Sequence, residues 1–281
     1  MTLQISLATI EDVPKITDFV VQLAEYEKLR HEVNFTESQY EEYLFTATNP
    51  PSPEVLLVRD SASDVIGFAL FINILPAVIH LEDLFVKPDA RGKGAGIHLL
   101  SRLAQVALTR GIASLEWACL DWNTPSLNFY KSLGAEPIQD RVLYRITGSA
   151  LQRKVTNWGA FQIEESAGSP VGLAAVNSDG IALANLSYSL SFTTFLGTPV
   201  ILVTEIGSEQ TDAISVLIEH LIQIACDNKF ARIDIRINPS TQHKLVDLLV
   251  SEFNAFEMAG WIPFSLSGAP LEQLAHRTSS A

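Results

Sequence analysis

HLEDLFVKPDARGKGAGIHLLSRLAQVAL, His80 to Leu108, decides the fold of this chain. His80 to Val86 is rich in β-formers and bounded by turn residues, which predicts a strand. Pro88 stops it, because proline offers a sheet ladder no N–H. From Gly96 the apolar residues fall at Leu99, Leu100, Leu103, Ala104 and Ala107, the spacing of one helical face. Arg91, Gly92, Lys93, Gly94, Ala95 and Gly96 lie between strand and helix.

Glycines at 92, 94 and 96 cost conformational entropy, so the turn needs a physical reason. Without Cβ atoms, several N–H groups can converge on one ligand at the positive end of a helix. That makes an anion site suited to a phosphate or pyrophosphate, with Arg91 and Lys93 adding charge. The alternative is a flexible connection that happens to precede a helix. A Walker loop is excluded, since the turn closes Gly94-Ala95-Gly96-Ile97 without Lys-Ser/Thr. The dinucleotide fingerprint fails at Ile97 and Leu99, where it would need its third glycine. What fits is R-x-x-G-x-G, Arg91 to Gly96.

At 281 residues there is room for one large domain or two modest ones, and 47% apolar content suits a packed interior. The net charge of −13 argues against nucleic acid and is compatible with a cationic small molecule. No apolar run reaches the length of a membrane span, and MTLQISLATIED lacks the features of a signal peptide. Cys119 and Cys226 form no disulfide framework and no zinc spacing, and both read as buried small hydrophobes. The expectation is a cytoplasmic protein with no metal and no membrane contact.

The order of elements is β-α-α-β-β-β-α-β-α-β up to about Ile146. It includes a helix from Pro14 to about Lys28, a second from Thr36 ended by Asn49-Pro50-Pro51, and a last hairpin around Glu136 to Ile146. Small and polar stretches at 147–158 and 165–170 read as a linker. The chain is therefore divided into 1–150 and 151–281. The second part is a weak repeat of the first. LLSRLAQVA (Leu99 to Ala107) matches LIEHLIQIA (Leu217 to Ala225), with Gln105 opposite Gln223. Val78-Ile79 matches Val200-Ile201, and Gly134 to Pro137 matches Gly260 to Pro263. In place of the Arg91–Gly96 loop the second copy has the shorter, acidic GSEQTDAI, and Tyr130 falls opposite Phe256. Counterparts of the first two helices are missing.

The Arg91–Gly96 loop after L-E-D-L-F-V resembles the pyrophosphate loop of the GNAT superfamily of N-acetyltransferases. LAEYEKLRHEV (Leu23 to Val33), IGFALF (Ile66 to Phe71), HLEDLFV (His80 to Val86) and WNTPSLNFYKSLGA (Trp122 to Ala135) are similar to the spermidine/spermine and thialysine branch, over about residues 3–146. The resemblance implies an α/β (α+β) GNAT fold, a mixed, mostly antiparallel sheet flanked by helices. A truncated, degenerate and non-catalytic GNAT-like copy would follow it. It names acetyl-CoA as the ligand of the loop, and a small polyamine or diamino acid as acceptor.

Acetyl transfer to an amine needs a neutral amine, an oriented thioester and a proton donor for the leaving thiolate. By resemblance Glu82 accepts the proton of the amine, Asp83 binds the cationic amine and Tyr130 is the general acid. Adjacent residues on a flat strand point to opposite faces, so a family bulge is needed to bring both carboxylates to the cleft. Leu84, Phe85, Val86, Arg91, Gly92, Lys93, Gly94, Ala95, Gly96, Asn123, Ser126 and Tyr130 are expected to hold acetyl-CoA. Leu84 and Val86 would use their backbone, and Asn123 would double as a helix N-cap. Tyr26 and Glu27 are expected to line the amine site together with Glu82 and Asp83. Trp117 and Trp122 read as core, and His31, His80 and His98 as structural or surface residues. Relatives are homodimers, so the second copy is expected to replace the partner as a pseudo-dimer within one chain, which could itself also dimerise. Two rival readings are a non-enzymatic acetyl-CoA or polyamine sensor and an acetyltransferase of protein or peptide amines.

Overall fold

The computed structural model describes residues 3–47, 53–74, 78–152, 159, 161–168, 170–208 and 210–277. The chain opens with β1 (Gln4–Leu7), α1 (Val13–Tyr26) and α2 (Glu37–Glu41), then β2 (Glu54–Arg59), β3 (Val65–Ile74) and β4 (Val78–Val86). It continues through α3 (Ala95–Thr109), β5 (Ser114–Leu120), α4 (Thr124–Ser132), β6 (Glu136–Pro137) and β7 (Val142–Thr147). The second half runs β8 (Gln162–Ser166), β9 (Val171–Val176), β10 (Ala182–Thr193), β11 (Thr198–Gly207), α5 (Thr211–Asp227) and β12 (Arg232–Ile237). It closes with α6 (His243–Phe253), β13 (Phe256–Glu257), β14 (Trp261–Ser267) and α7 (Gly268–Ala275). The expected helix stop at Asn49–Pro51 and residues 153–158 of the expected linker lie outside the described residues.

Two seven-stranded sheets form, ordered β1-β2-β3-β4-β5-β14-β6 and β13-β7-β12-β11-β10-β9-β8. The repeat is thus written in topology: β1 to β5 in one sheet correspond to β8 to β12 in the other. Each has a parallel pair at the same place, Val78–His80 with Ser114–Glu116 and Ile201–Val203 with Ile233–Ile235. Among the described residues no helix separates β8 from β9, so α1 and α2 have no counterpart.

The terminal strands are exchanged. β14 pairs with β5 from Trp261↔Leu120 to Ser267↔Ser114, and β7 pairs with β12 from Arg232↔Thr147 to Ile237↔Val142. Two compact units result: Met1–Ile138 with Phe192–Thr198 and Gly260–Ala281, and Gln139–Ser191 with Pro199–Ala259. This corrects three expectations. There is no Glu136–Ile146 hairpin, because β6 pairs with β14 whereas β7 joins the other sheet. The compact units are not divided at 150. Of the expected linker, Gly148–Gln152 is a short helix, and residues 165–166 belong to the strand Gln162–Ser166. Each terminal strand had two equivalent slots, and local pattern does not say which one it fills.

The exchange also corrects the alignment of the copies. α4 is followed by Gly134 at φ +84° and then β6, whereas α6 is followed by Asn254 at φ +50° and then β13. Gly134 therefore corresponds to Asn254, while Gly260 leads into β14. Counted back from those turns, Tyr130 corresponds to Val250, which is 48% exposed, and not to Phe256, which lies on β13.

In the first unit α3 buries Leu99, Leu100, Leu103, Ala104 and Ala107 against Ala69, Phe71, Ile79, Leu81 and Leu115 of the sheet. The opposite face carries Phe68, Leu70, Ile72 and Phe85 under Val13, Ile16, Phe19, Val20 and Leu23 of α1. In the second unit α5 places Ile214, Leu217, Ile218 and Leu221 on its own sheet. Each fully buried Leu or Phe contributes about 2–3 kcal/mol of apolar transfer free energy, which holds these layers. No helix among the described residues is long and apolar enough to cross a membrane.

Candidate active site

The centre of β4 breaks its own alternation. Leu70 pairs with Asp83 and Phe71 with Leu81, so Glu82 is the extra residue of a β-bulge. The side-chain pattern changes face there. Ile79 and Leu81 lie in the α3-side core, whereas two residues beyond Leu81 it is Asp83, with Phe85, that turns toward α1. The bulge expected from the family resemblance is present. His80 Nε2 stands 3.4 Å from Glu82 Oε2, so the two side chains share a site.

Three carboxyl groups converge. Asp83 is fully buried and held well above the usual carboxylate range, first by burial, then by Glu82 and Glu27; a side-chain hydrogen bond from Thr194 acts in the opposite sense. Its Oδ2 is buried without a hydrogen-bond partner. Glu27, just beyond the end of α1, is pushed up to about 7 by burial, then by Glu82 and Glu32. Among the described residues no Lys or Arg is one of the groups that shift either carboxyl. Asp234 in the second unit shows the opposite solution: burial raises it too, but Arg232 and Arg145 hold it below its usual range. Asp83 and Glu27 thus form a site in deficit of a cation.

Tyr130 on α4 is buried, its ring 4.9 Å from Trp117 and 5.9 Å from Phe264. Burial, then Cys119 and Glu27, hold its phenol above its ordinary value, so it stays protonated. The Cys119 thiol is pushed up to about 11, by burial and by Glu27. Glu27 therefore acts electrostatically on Asp83, Cys119 and Tyr130 alike. Cys119 is the buried residue expected, but Cys226 is exposed, because it sits at the end of α5.

Between the carboxylates and α3 the sheet opens. β4 and β5 pair only over Val78–His80 and Ser114–Glu116; beyond, β4 stays with β3 and β5 with β14. Lys87 N–H donates to the Ile66 carbonyl at 2.9 Å, which sets the alternation of the antiparallel ladder. Leu84 and Val86 consequently turn their N–H and C=O groups away from β3, toward the gap. The Val86 carbonyl accepts Arg91 Nε at 2.9 Å. Phe85 buries its side chain beside Phe19 and, alternating with Leu84 and Val86, turns its backbone groups to Phe68 of β3, so it offers the gap neither.

At the far end of the gap α3 starts with Gly94 at φ +88° as N-cap and no side-chain cap. Gly92 is also left-handed, at φ +74°. Ala95 and Gly96 open the helix, leaving uncapped N–H groups at its positive end. A Cβ on Gly96 would lie 3.6 Å from the Phe129 ring. Lys93 Nζ donates to the Asp89 carbonyl at 2.8 Å, and Arg91 stacks 4.8 Å from the Tyr26 ring.

Asn123 is the N-cap of α4, accepting Ser126 N–H at 3.4 Å, and its Oδ1 also accepts the Tyr26 hydroxyl at 3.0 Å. Trp122 is not core: it is 42% exposed, 5.8 Å from the Tyr26 ring, with Lys28 Nζ 5.0 Å from its own. Sequence reasoning missed Thr194, and nothing local to Thr194 signals its place beside Asp83. The Trp122 surface had a signal, its position next to the cap residue. Among the described residues no cluster of His, Cys, Asp and Glu is arranged to hold a metal ion.

A sequence profile described as the Acetyltransferase (GNAT) family matches residues 20–135. An L-ornithine N5-acetyltransferase of Arabidopsis thaliana is 30% identical over 196 residues, 53% of this chain and 86% of that protein. A thialysine N-epsilon-acetyltransferase of Mus musculus is 31% identical over 158 residues, 50% of this chain and 90% of its own length. A solved tandem GNAT protein from the clavulanic acid biosynthesis pathway superposes with TM-score 0.55 at 12% identity, over 95% of this chain and 98% of that one. A GCN5-related N-acetyltransferase from Sphaerobacter thermophilus gives 0.55 at 13%, over 94% and 95%. At such identities the likeness is one of fold, and it covers both halves.

Proposed function

The chain belongs to the GNAT acetyltransferase family, and on that premise we propose that it acetylates a primary amine of a small diamine or diamino acid, using acetyl-CoA, by direct transfer in a ternary complex. The observation that carries the reading is the bulge at Glu82, which brings two carboxylates to one face beside a gap in the sheet. L-ornithine and thialysine, named for the relatives, are the first acceptors to test.

The residues present fit acetyl-CoA. The uncapped start of α3, with Arg91 and Lys93, suits a pyrophosphate, and the outward backbone groups of Leu84 and Val86 suit an amide-bearing arm laid along β4 as an added strand. Acetyl-CoA supplies the thioester carbonyl that the amine attacks. Asp83, with Glu27, neutralises the ammonium of the substrate, a role matched to their missing counter-charge. Glu82 accepts the proton that the reacting amine must lose, directly or through water. Tyr130, kept protonated by burial, donates to the departing thiolate. An acyl-enzyme is not needed, and the Cys119 thiol at about 11 supports its absence.

The 151–281 copy is proposed to be non-catalytic. Only residues 208–210 separate β11 from α5, where residues 87–94 separate β4 from α3, and exposed Val250 stands at the tyrosine position. Its contribution to the amine site is proposed to be the segment Phe192–Thr198, which the chain sends into the first unit, as a partner subunit would in a dimer.

The test is thiol release from acetyl-CoA with spermidine, putrescine, L-ornithine, thialysine, lysine and a peptide, beside a Tyr130→Phe variant. Turnover of one small amine, strongly reduced in the variant, supports the reading. Turnover of the peptide alone, or of none, refutes it.

A further inference from the structure

Phe192–Thr198 crosses the first unit more than a hundred residues downstream of β4 and is pinned there from several sides. The Tyr40 hydroxyl donates to the Thr194 carbonyl at 2.6 Å, and Asn34 N–H donates to the Phe195 carbonyl at 2.7 Å. Gly197 N–H closes a turn on the Thr193 carbonyl at 2.9 Å. The Tyr40 ring lies edge-on to Phe35 at 4.9 Å and to Phe192 at 5.7 Å. Gly197 has φ +59°, and a Cβ there would approach Phe35 Cβ to 2.9 Å, so the turn is built for glycine. Thr194 itself is 2% exposed, and its side chain acts on the Asp83 carboxyl, favouring the charged form.

We propose that Thr194, held in place by Tyr40, is a positioning residue for Asp83, so that this distant segment sets affinity for the cationic amine without taking part in acetyl transfer. A buried carboxylate with one oxygen unpartnered has a choice of orientations. The Thr194 hydroxyl, acting on the carboxyl from a buried position, narrows that choice and leaves the carboxyl an acceptor without a partner. It also favours the charged form of Asp83, the form that binds a cation. Tyr40 holds the backbone from which Thr194 reaches. The claim rests on the amine-acetylation reading above.

The experiment compares wild type, Thr194→Val, Thr194→Ser and Tyr40→Phe in steady-state kinetics, with each substrate varied. Valine keeps the shape and removes the hydroxyl. The expected result is an amine KM raised roughly tenfold in Thr194→Val and severalfold in Tyr40→Phe, with Thr194→Ser near wild type. kcat and the KM for acetyl-CoA stay within about twofold, since the chemistry and the cofactor loop are untouched. An unchanged amine KM in Thr194→Val overturns the proposal. So does an equal loss in Thr194→Ser, which would mean a packing role. If the wild type acetylates no amine, the reaction reading has failed, and calorimetric titration with putrescine and L-ornithine decides this one. Binding weakened roughly tenfold in Thr194→Val supports it, and equal or undetectable binding to both proteins overturns it.

Discussion

Replacing Glu27 by glutamine tests whether the carboxylate cluster is strained for want of a cation. Glu27 has an ordinary value of 4.5 and is pushed up to about 7 by burial, Glu82 and Glu32. The folded chain thus holds that proton more tightly than the unfolded chain does. Stability contributed by the neutral form is complete below pH 4.5 and is lost as pH rises from there toward 7, after which the penalty is constant. At about 1.4 kcal/mol for each tenfold step, the full penalty is about 3 kcal/mol, of which about 2.5 develops between pH 5 and pH 8. Glu27→Gln removes the ionisation and keeps the shape. Its advantage over wild type should therefore be small at pH 5 and grow by about 2–3 kcal/mol by pH 8, a relative gain in Tm of about 5–10 °C. Thermal unfolding of both proteins at pH 5, 6, 7 and 8 reads it directly. A Tm difference that is flat across those four points refutes the account. The same substitution should weaken amine binding, so stability and affinity should move in opposite directions.

Tyr130→Phe should lower kcat by a factor of about 10²–10⁴ while leaving acetyl-CoA affinity close to wild type; a kcat within threefold removes Tyr130 as the acid. Gly94→Ala forces a side chain into φ +88° with the His98 ring 3.4 Å from the new Cβ, and should destabilise by about 1–2 kcal/mol and raise the KM for acetyl-CoA, as melting and initial rates will show. Iodoacetamide at pH 7.5 should modify exposed Cys226 and spare Cys119, whose thiol is pushed up to about 11; peptide mass mapping that finds Cys119 modified equally fast contradicts its burial.

The strand, loop and helix from His80 to Leu108 were legible because every local rule agrees: β-formers, a proline stop, glycines where φ is positive, and a regular apolar face. Glu27, Glu82, Asp83 and Tyr130 were legible as a set only through resemblance. Nothing in adjacent Glu82 and Asp83 says that the strand bulges between its two faces, because the bulge is settled by pairing with β3. The exchange of β7 and β14 was not legible, since two similar sheets offer two similar edges and alternation fits either. Thr194 was hidden for a related reason. A threonine in a Thr-Thr-Phe-Leu-Gly turn carries no sign of the carboxylate it meets. Trp122 was misread as core: it stands before the Asn123 cap, outside α4, and stays exposed.

The traded strands have a bearing on biosynthesis. On the ribosome, β5 emerges long before Trp261–Ser267, so its outer edge must wait without its ladder partner while about half the protein is still being made. β7 waits likewise for β12. The first half cannot mature ahead of the second, and a gene cut near codon 150 would yield two fragments that each carry the other's strand. An unpaired edge of that kind invites pairing with neighbouring chains, so nascent or severed halves are the forms of this protein most exposed to aggregation and to chaperones. The same wiring ties the two copies together in evolution: once each had come to depend on the other's last strand, neither could be lost by deletion, even after only one retained the glycine-rich loop.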